Sequence, residues 1–159
     1  MKVFCEHQKV NPDSEFILVG EGETKEDCIS YVEKFSTNPK KFKFEGFNKN
    51  VEKYFSKSDI FVSLSKTEGM PNAALEAAAH KCPMLLSNIN EHRNTFSKKE
   101  AFFVPLSNHV EIADYLDKAL NSTLLRKKKA LEAYNLVIKN NNPTQIAKKY
   151  LESYNELIK

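Results

Sequence analysis

The chain has no tryptophan, three cysteines and four glycines among its 159 residues. Each shortage excludes something. Cys5, Cys28 and Cys82 are odd in number and widely spaced, with no Cys-x-x-Cys pair. Neither a disulfide framework nor a zinc site follows, and a reducing cytoplasm is the natural setting. No window approaches the ~20 apolar residues of a membrane span. Met1 to Lys9 lacks the apolar centre of a signal peptide. Arginine is nearly missing too, with only Arg93 and Arg126 among 24 basic residues. Against 21 acidic residues these leave a net charge of +3. That balance does not fit a nucleic-acid partner, and the scarcity of arginine argues against a bidentate phosphate-reading surface.

What is present suits one ordinary domain, residues 1–159, with 41% apolar content and a real core. Lys2 to Lys9 can form a short helix, closed by Asn11-Pro12. Phe16 to Val19 is a continuous apolar run of buried-strand length, ended by Gly20-Glu21-Gly22. Cys28, Ile29, Val32 and Phe35 recur at helical spacing. Phe42 to Phe44 gives a second strand, ended by Gly46, and a short helix follows at Val51, Tyr54 and Phe55. Ile60 to Val62, Pro83 to Leu86 and Ala101 to Val104 are three further strands, with an alanine-rich helix from Pro71 to His80 between the first two. Helical patterns then run from Val110 to Leu120, Leu124 to Lys139 and Gln145 to Ile158.

Apolar strands each followed by a helix imply a Rossmann-like α/β fold. The expected architecture is a parallel sheet of about five strands flanked by helices, with a helical C-terminal third. Ligands of such sheets collect at the carboxyl ends of the strands. Three glycine-bearing loops fall there: Gly20 to Gly22, Gly46 to Asn48, and Ser65 to Met70.

The third loop carries the most chemistry. Ser65-Lys66-Thr67-Glu68-Gly69-Met70-Pro71-Asn72-Ala73-Ala74-Leu75-Glu76 runs from a strand through glycine into a helix, with two glutamates eight positions apart. The first N–H groups of a helix lack internal partners and carry its positive dipole end, so they favour an anion. A carboxylate can accept from two vicinal hydroxyls, and such charge-assisted hydrogen bonds are strong. Together the parts suit a phosphate-bearing ligand with hydroxyls at both ends. The plainer alternative is that Asn72, Glu76 and His80 form a polar helix stripe facing water, with Glu68 an ordinary surface charge.

These residues resemble the paired-glutamate motif of the group-one (family four) retaining glycosyltransferases. Phe16 to Gly22 resembles that family's strand and Gly-x-Gly loop, and Phe42 to Gly46, Ser58 to Ser65 and Lys81 to Ser87 follow in its order. The resemblance implies one half of a GT-B fold, the donor-binding half. That half would serve an enzyme that transfers a sugar from a UDP- or GDP-linked nucleotide-sugar to a glycan or lipid-linked acceptor, in surface polysaccharide or glycoconjugate synthesis. Glu68 would orient the donor sugar and Glu76 the ribose. The N–H groups at Gly69, Met70 and Asn72 would face the sugar or diphosphate. Gly20 would let the backbone approach the phosphates, and Gly46-Phe47 would border the base. No cofactor or metal is implied.

Four departures accompany the resemblance. The family's half opens with a further strand and a basic pair that neutralises the leaving diphosphate, which nothing near Met1 supplies. The acceptor-binding half is also missing. Removing one such electrostatic donor costs ~100-fold or more, so the chain by itself is expected to be inactive. His80-Lys81 stands where the family ends its helix with glycine, and a lysine held in a left-handed cap costs roughly 1 kcal/mol. The family's later glycine-rich segment and glutamate become Asn88 to Arg93, with Glu91 as the candidate equivalent.

The rival reading is a stand-alone module that binds a nucleotide-sugar without catalysis, or the donor subunit of a two-chain transferase. A face left bare by a missing half would favour self-association, around the C-terminal helices and the crevice rim. The basic run from Arg126 to Lys129 reads as a solvated helix face; contact with anionic lipid on the inner face of a membrane is the alternative.

Overall fold

A computed structural model describes residues 1–140, 151 and 154–156. The element order is α1 (Lys2–Val10), β1 (Phe16–Leu18), α2 (Lys25–Phe35), a 3-10 turn (Pro39–Lys41), β2 (Phe42–Phe44), α3 (Glu52–Phe55), β3 (Phe61–Ser63), α4 (Asn72–Ala79), β4 (Met84–Ser87), α5 (Asn90–Thr95), β5 (Phe102–Val104), α6 (His109–Asn121) and α7 (Thr123–Asn140). The five strands expected from the apolar runs are all present, and every pairing is parallel. The helix expected from Gln145 to Ile158 lies outside the described residues, apart from residues 151 and 154–156.

The strands form two ladders instead of one continuous sheet: β1 with β2, and β3 with β4 and β5. Phe16 stands opposite Phe42, Phe61 opposite Met84, and Leu85 opposite Phe102. The strand of Pro83 to Leu86 begins one residue later than expected. Proline has no N–H to give a ladder, and Pro83 joins only as an acceptor, from the Phe61 N–H at 2.8 Å.

β4 is the centre of the second ladder, and all four of its residues are buried. Its alternation divides the core. Leu85 faces a cluster with Val104, Ile112, Ala113 and Leu116, covered by α1 and α6. Met84 and Leu86 face the other way, among Ala74, Ala77, Ala78, Phe96, Ala133 and Val137. The alanines explain why α4 can lie so close. With no side chain beyond Cβ, Ala77 and Ala78 reach zero exposure between β4 and α7.

Two lysines depart from the expected pattern. Lys129 is not part of a solvated face: it is 9% exposed, and its ammonium donates to the carbonyls of Lys98 and Ala101. Arg126 is likewise engaged, with Asp59. The basic run is thereby divided between the core side and the surface. Exposed apolar side chains do lie on α7, at Leu124, Leu131 and Ile138, and on the loops at Phe47 and Met70.

The second lysine ends α4. Lys81 adopts φ 55, donating its N–H to Ala78 O, while the Cys82 N–H reaches Ala77 O at 2.9 Å. This is the paired-bond termination that normally uses glycine. The strain is partly offset by the Lys81 ammonium, 4.5 Å from the centre of the Tyr134 ring. Lys81→Gly removes both the strain and the ring contact, whereas Lys81→Ala removes only the contact. Urea denaturation should therefore find the glycine variant more stable than the alanine variant by about 1 kcal/mol. Equal stabilities would mean that the left-handed turn carries no cost here.

Candidate functional site

The loops that follow β1 and β2 are tied to each other by a short bond, and the loop after β3 is tied to the end of β4 and the segment beyond it. The Gly20 N–H donates to Gly46 O at 2.7 Å, joining the first two. Both glycines have positive φ, 134 for Gly20 and 65 for Gly46. A side chain at Gly20 would force a backbone region that almost no other residue enters. At Gly46 an added Cβ would also lie 2.6 Å from the Glu21 carboxylate.

The motif loop after β3 is fixed to the end of β4. Ser87 is fully buried, and its hydroxyl donates to Ser65 O at 2.6 Å. His92, also fully buried, sits against the carbonyl of Ser87 through Nδ1 at 2.9 Å. That bond places the ring proton on Nδ1 and leaves Nε2 as an unpartnered acceptor, the cheaper atom to bury bare. The Thr67 hydroxyl donates to Glu91 Oε1 at 3.2 Å. The Glu91 carboxyl is held below its ordinary range chiefly by its own backbone N–H, which outweighs desolvation, with smaller help from the Glu68 N–H and the Thr67 hydroxyl. Glu91 thus clamps the backbone of the motif loop beside Glu68.

Across the loop, α4 begins at Asn72, with the buried Pro71 just outside its first turn at the N-cap. The expectation of proline within the helix is corrected by one position. No side chain caps this end, and the Asn72 N–H turns back to Met70 O at 2.8 Å. Of the three N–H groups expected to face a ligand, that of Asn72 is therefore already engaged. Met70 is 62% exposed and Gly69 is also exposed, as a ligand-facing loop requires.

Glu76 is exposed one turn further along α4. It lines a cavity of about 1330 Å³ together with Gly20, Glu21, Gly22, Phe47 and Ala73. A smaller hollow on its other side is bordered by Lys49, Asn50 and His80. The fold therefore brings Glu76 to the Gly20 and Phe47 loops, which come from the other ladder. Glu68, Gly69 and Met70 lie outside the lining of that cavity, at the opening turn of α4 beside Glu91. His80 stacks on Phe55, with ring centres 5.9 Å apart. Among the described residues no group of His, Cys, Asp or Glu side chains is placed to hold a metal ion, and no helix is long and apolar enough to cross a membrane.

Residues 1–136 match the family described as Glycosyl transferases group 1, and the chain belongs to that family. A curated relative, the UDP-Gal:alpha-D-GlcNAc-diphosphoundecaprenol alpha-1,3-galactosyltransferase of Escherichia coli, is 33% identical over 117 residues, which is 69% of this chain and 30% of the relative. Among solved structures, the C-terminal domain of the group 1 family protein LpcC from Francisella tularensis is 25% identical, with a TM-score of 0.75, covering 89% of this chain and 79% of that one. A mutant of S. aureus TarM, solved in complex with fondaparinux, alpha-GlcNAc-glycerol and UDP, superposes with a TM-score of 0.83 at 21% identity, covering 95% of this chain and 31% of that one. The fold is accordingly a Rossmann-like half of the GT-B architecture. The chain spans about a third of the length of the curated relatives it matches.

The Glu91 clamp has a measurable signature. Its folded-state pKa is lowered from 4.5, so the bonds to the motif loop persist at neutral pH and are lost as pH falls through that lower value. The Glu68 amide resonance should follow the change, with a midpoint below 4.5. Glu91→Gln should abolish that titration. An amide that shifts identically in the variant would show that Glu91 does not hold the loop.

Proposed function

We propose that this chain is the donor-binding half of a retaining glycosyltransferase. The enzyme moves a sugar from a UDP- or GDP-linked nucleotide-sugar to a lipid-linked or glycan acceptor on the cytoplasmic face of a membrane. One observation carries the reading: Glu76, exposed on α4, faces the Gly20 and Phe47 loops across one cavity, while Glu68 sits where the same helix opens.

The roles follow from chemistry. Glu76 accepts hydrogen bonds from two vicinal ribose hydroxyls, and the Phe47 loop borders the base. Gly20 admits the diphosphate to the backbone, with the start of α4 offering it the positive end of a dipole. Glu68 orients the transferred sugar, on a loop that Glu91, Thr67 and Ser87 keep from moving. Positioning of this kind is where such a site gains rate, since the reacting atoms must be held close to their attack geometry. The reaction needs no metal in this reading. The galactosyltransferase relative, with its lipid-diphosphate acceptor, supports the acceptor class.

In this reading the half supplies donor binding to the transfer. Binding is thus the property to measure. UDP or GDP at ~100 times its dissociation constant should stabilise the chain by ~2.7 kcal/mol, a rise of several degrees in Tm. One nucleotide should do this and ADP should not. Glu76→Ala should remove most of the shift without lowering Tm in the absence of ligand, because Glu76 is exposed. A shift that survives in Glu76→Ala would contradict the ribose assignment.

A further inference from the structure

The two sides of α7 differ in kind. Lys129, Ala130, Ala133 and Val137 turn inward and are buried. The outward side carries Leu124, Leu131 and Ile138, which are 85%, 51% and 52% exposed. Apolar residues scattered singly are normal on any surface. These three recur at a heptad interval, so the helix brings them into line. The drift is ~20° per heptad, which keeps all three within about 40° of one another. At ~1.5 Å per residue they make an apolar ridge about 21 Å long.

Cations border this ridge on both sides. At about 100° per residue, Lys127 lies about 60° from Leu124 on one side, with Lys128 and Lys139 about 40° and 60° away on the other. All three lysines are exposed, and none has an ion-pair partner among the described residues. The bonds from Lys129 to the carbonyls of Lys98 and Ala101 bring the exposed Lys98 and Lys99 beside the same helix. Glu132 is the one acidic residue of α7, and it lies about 80° from the start of the ridge.

A second copy of the chain fits this face poorly. A helix–helix seam needs another apolar row, three or four residues after each ridge position. Those positions are Lys127 and Lys128 after Leu124, and Tyr134 and Asn135 after Leu131. Only Tyr134 is apolar, and it lies under the Lys81 ammonium. Two such faces would also set lysine against lysine. A lipid surface needs no second row. A single line of apolar side chains can enter the boundary between headgroups and acyl chains, while flanking lysines reach the phosphates.

We infer that the outward face of α7 docks on an anionic bilayer surface, with the helix lying in the plane of that surface. Leu124, Leu131 and Ile138 enter the acyl boundary, and Lys127, Lys128 and Lys139 meet the lipid phosphates. None of these residues lines the cavity at Glu76, so the surface does not depend on the donor reading.

Sedimentation with lipid vesicles tests it. The chain should sediment with vesicles of equal phosphatidylglycerol and phosphatidylcholine. Binding to phosphatidylcholine alone should be at least ~10-fold weaker, since each lysine near an anionic surface contributes about five-fold. The triple variant Leu124→Gln, Leu131→Gln, Ile138→Gln should lose the binding, and Lys127→Gln with Lys128→Gln should weaken it at least ~10-fold. All five positions are exposed, so Tm should stay near that of the parent chain. A control changed at other exposed positions, Val10→Gln with Lys2→Gln and Lys40→Gln, should bind as the parent does. No binding to the anionic vesicles, or a triple variant that binds as well as the parent, would overturn the inference. Equal loss in the control would overturn it in favour of general charge attraction. Self-association in place of vesicle binding, absent from the triple variant, would overturn it in favour of a second copy.

Discussion

A parallel strand can be followed by another only after the chain has returned to the starting edge, and a helix is the usual means of return. That constraint organises this molecule. Because each of the five strands runs the same way within its ladder, the loops that leave them gather at the carboxyl edge. Gly20 and Gly46 are distant in sequence and become neighbours for that reason, as do Glu68 and Glu91. The helices that provide the return also cover the faces, which is why β1 and β5 are apolar throughout and β4 nearly so, whereas β2 carries the exposed Lys43 between two phenylalanines.

A site built on loops requires those loops to be held. Three bonds do so without any large side chain: Gly20 to Gly46 through the backbone, Ser87 to Ser65, and Thr67 to Glu91. The alanines of α4 contribute in another way. They allow the helix to sit directly on β4, which fixes where Glu76 emerges. Within this frame the glutamates have different surroundings. Glu76 stands at a cavity wall shared with the other ladder, whereas Glu68 lies on a clamped turn at the helix start. The proposed division between a ribose-holding group and a sugar-orienting group rests on that difference in place.

Much of this was legible in the sequence. Continuous apolar runs such as Phe16 to Val19 and Met84 to Leu86 announce strands locally, and the order of glycine loops and glutamates points to a group-one transferase. Other features could not be read that way. The split between ladders depends on which strands lie beside each other, and periodicity carries no record of that. Lys129 looks like its solvated neighbours until the carbonyls of Lys98 and Ala101, about thirty residues away, are brought to it. α5, with the polar sequence Asn90 to Thr95, has no apolar period to reveal it; burial of His92 and the clamp from Glu91 give it its place. Lys81 in a left-handed turn was visible as a conflict, but its accommodation over Tyr134 is tertiary.

The central proposal is that the carboxyl-edge loops around Gly20, Phe47 and Glu76 form one nucleotide-sugar site. Amide chemical-shift mapping of the isotope-labelled chain during titration with UDP, GDP and their sugar conjugates addresses it most directly. The account expects shifts from one nucleotide at Gly20, Phe47 and Glu76, extending to Gly69 and Met70 only when the sugar is attached. Shifts centred away from the carboxyl-edge loops, or none there, would contradict it.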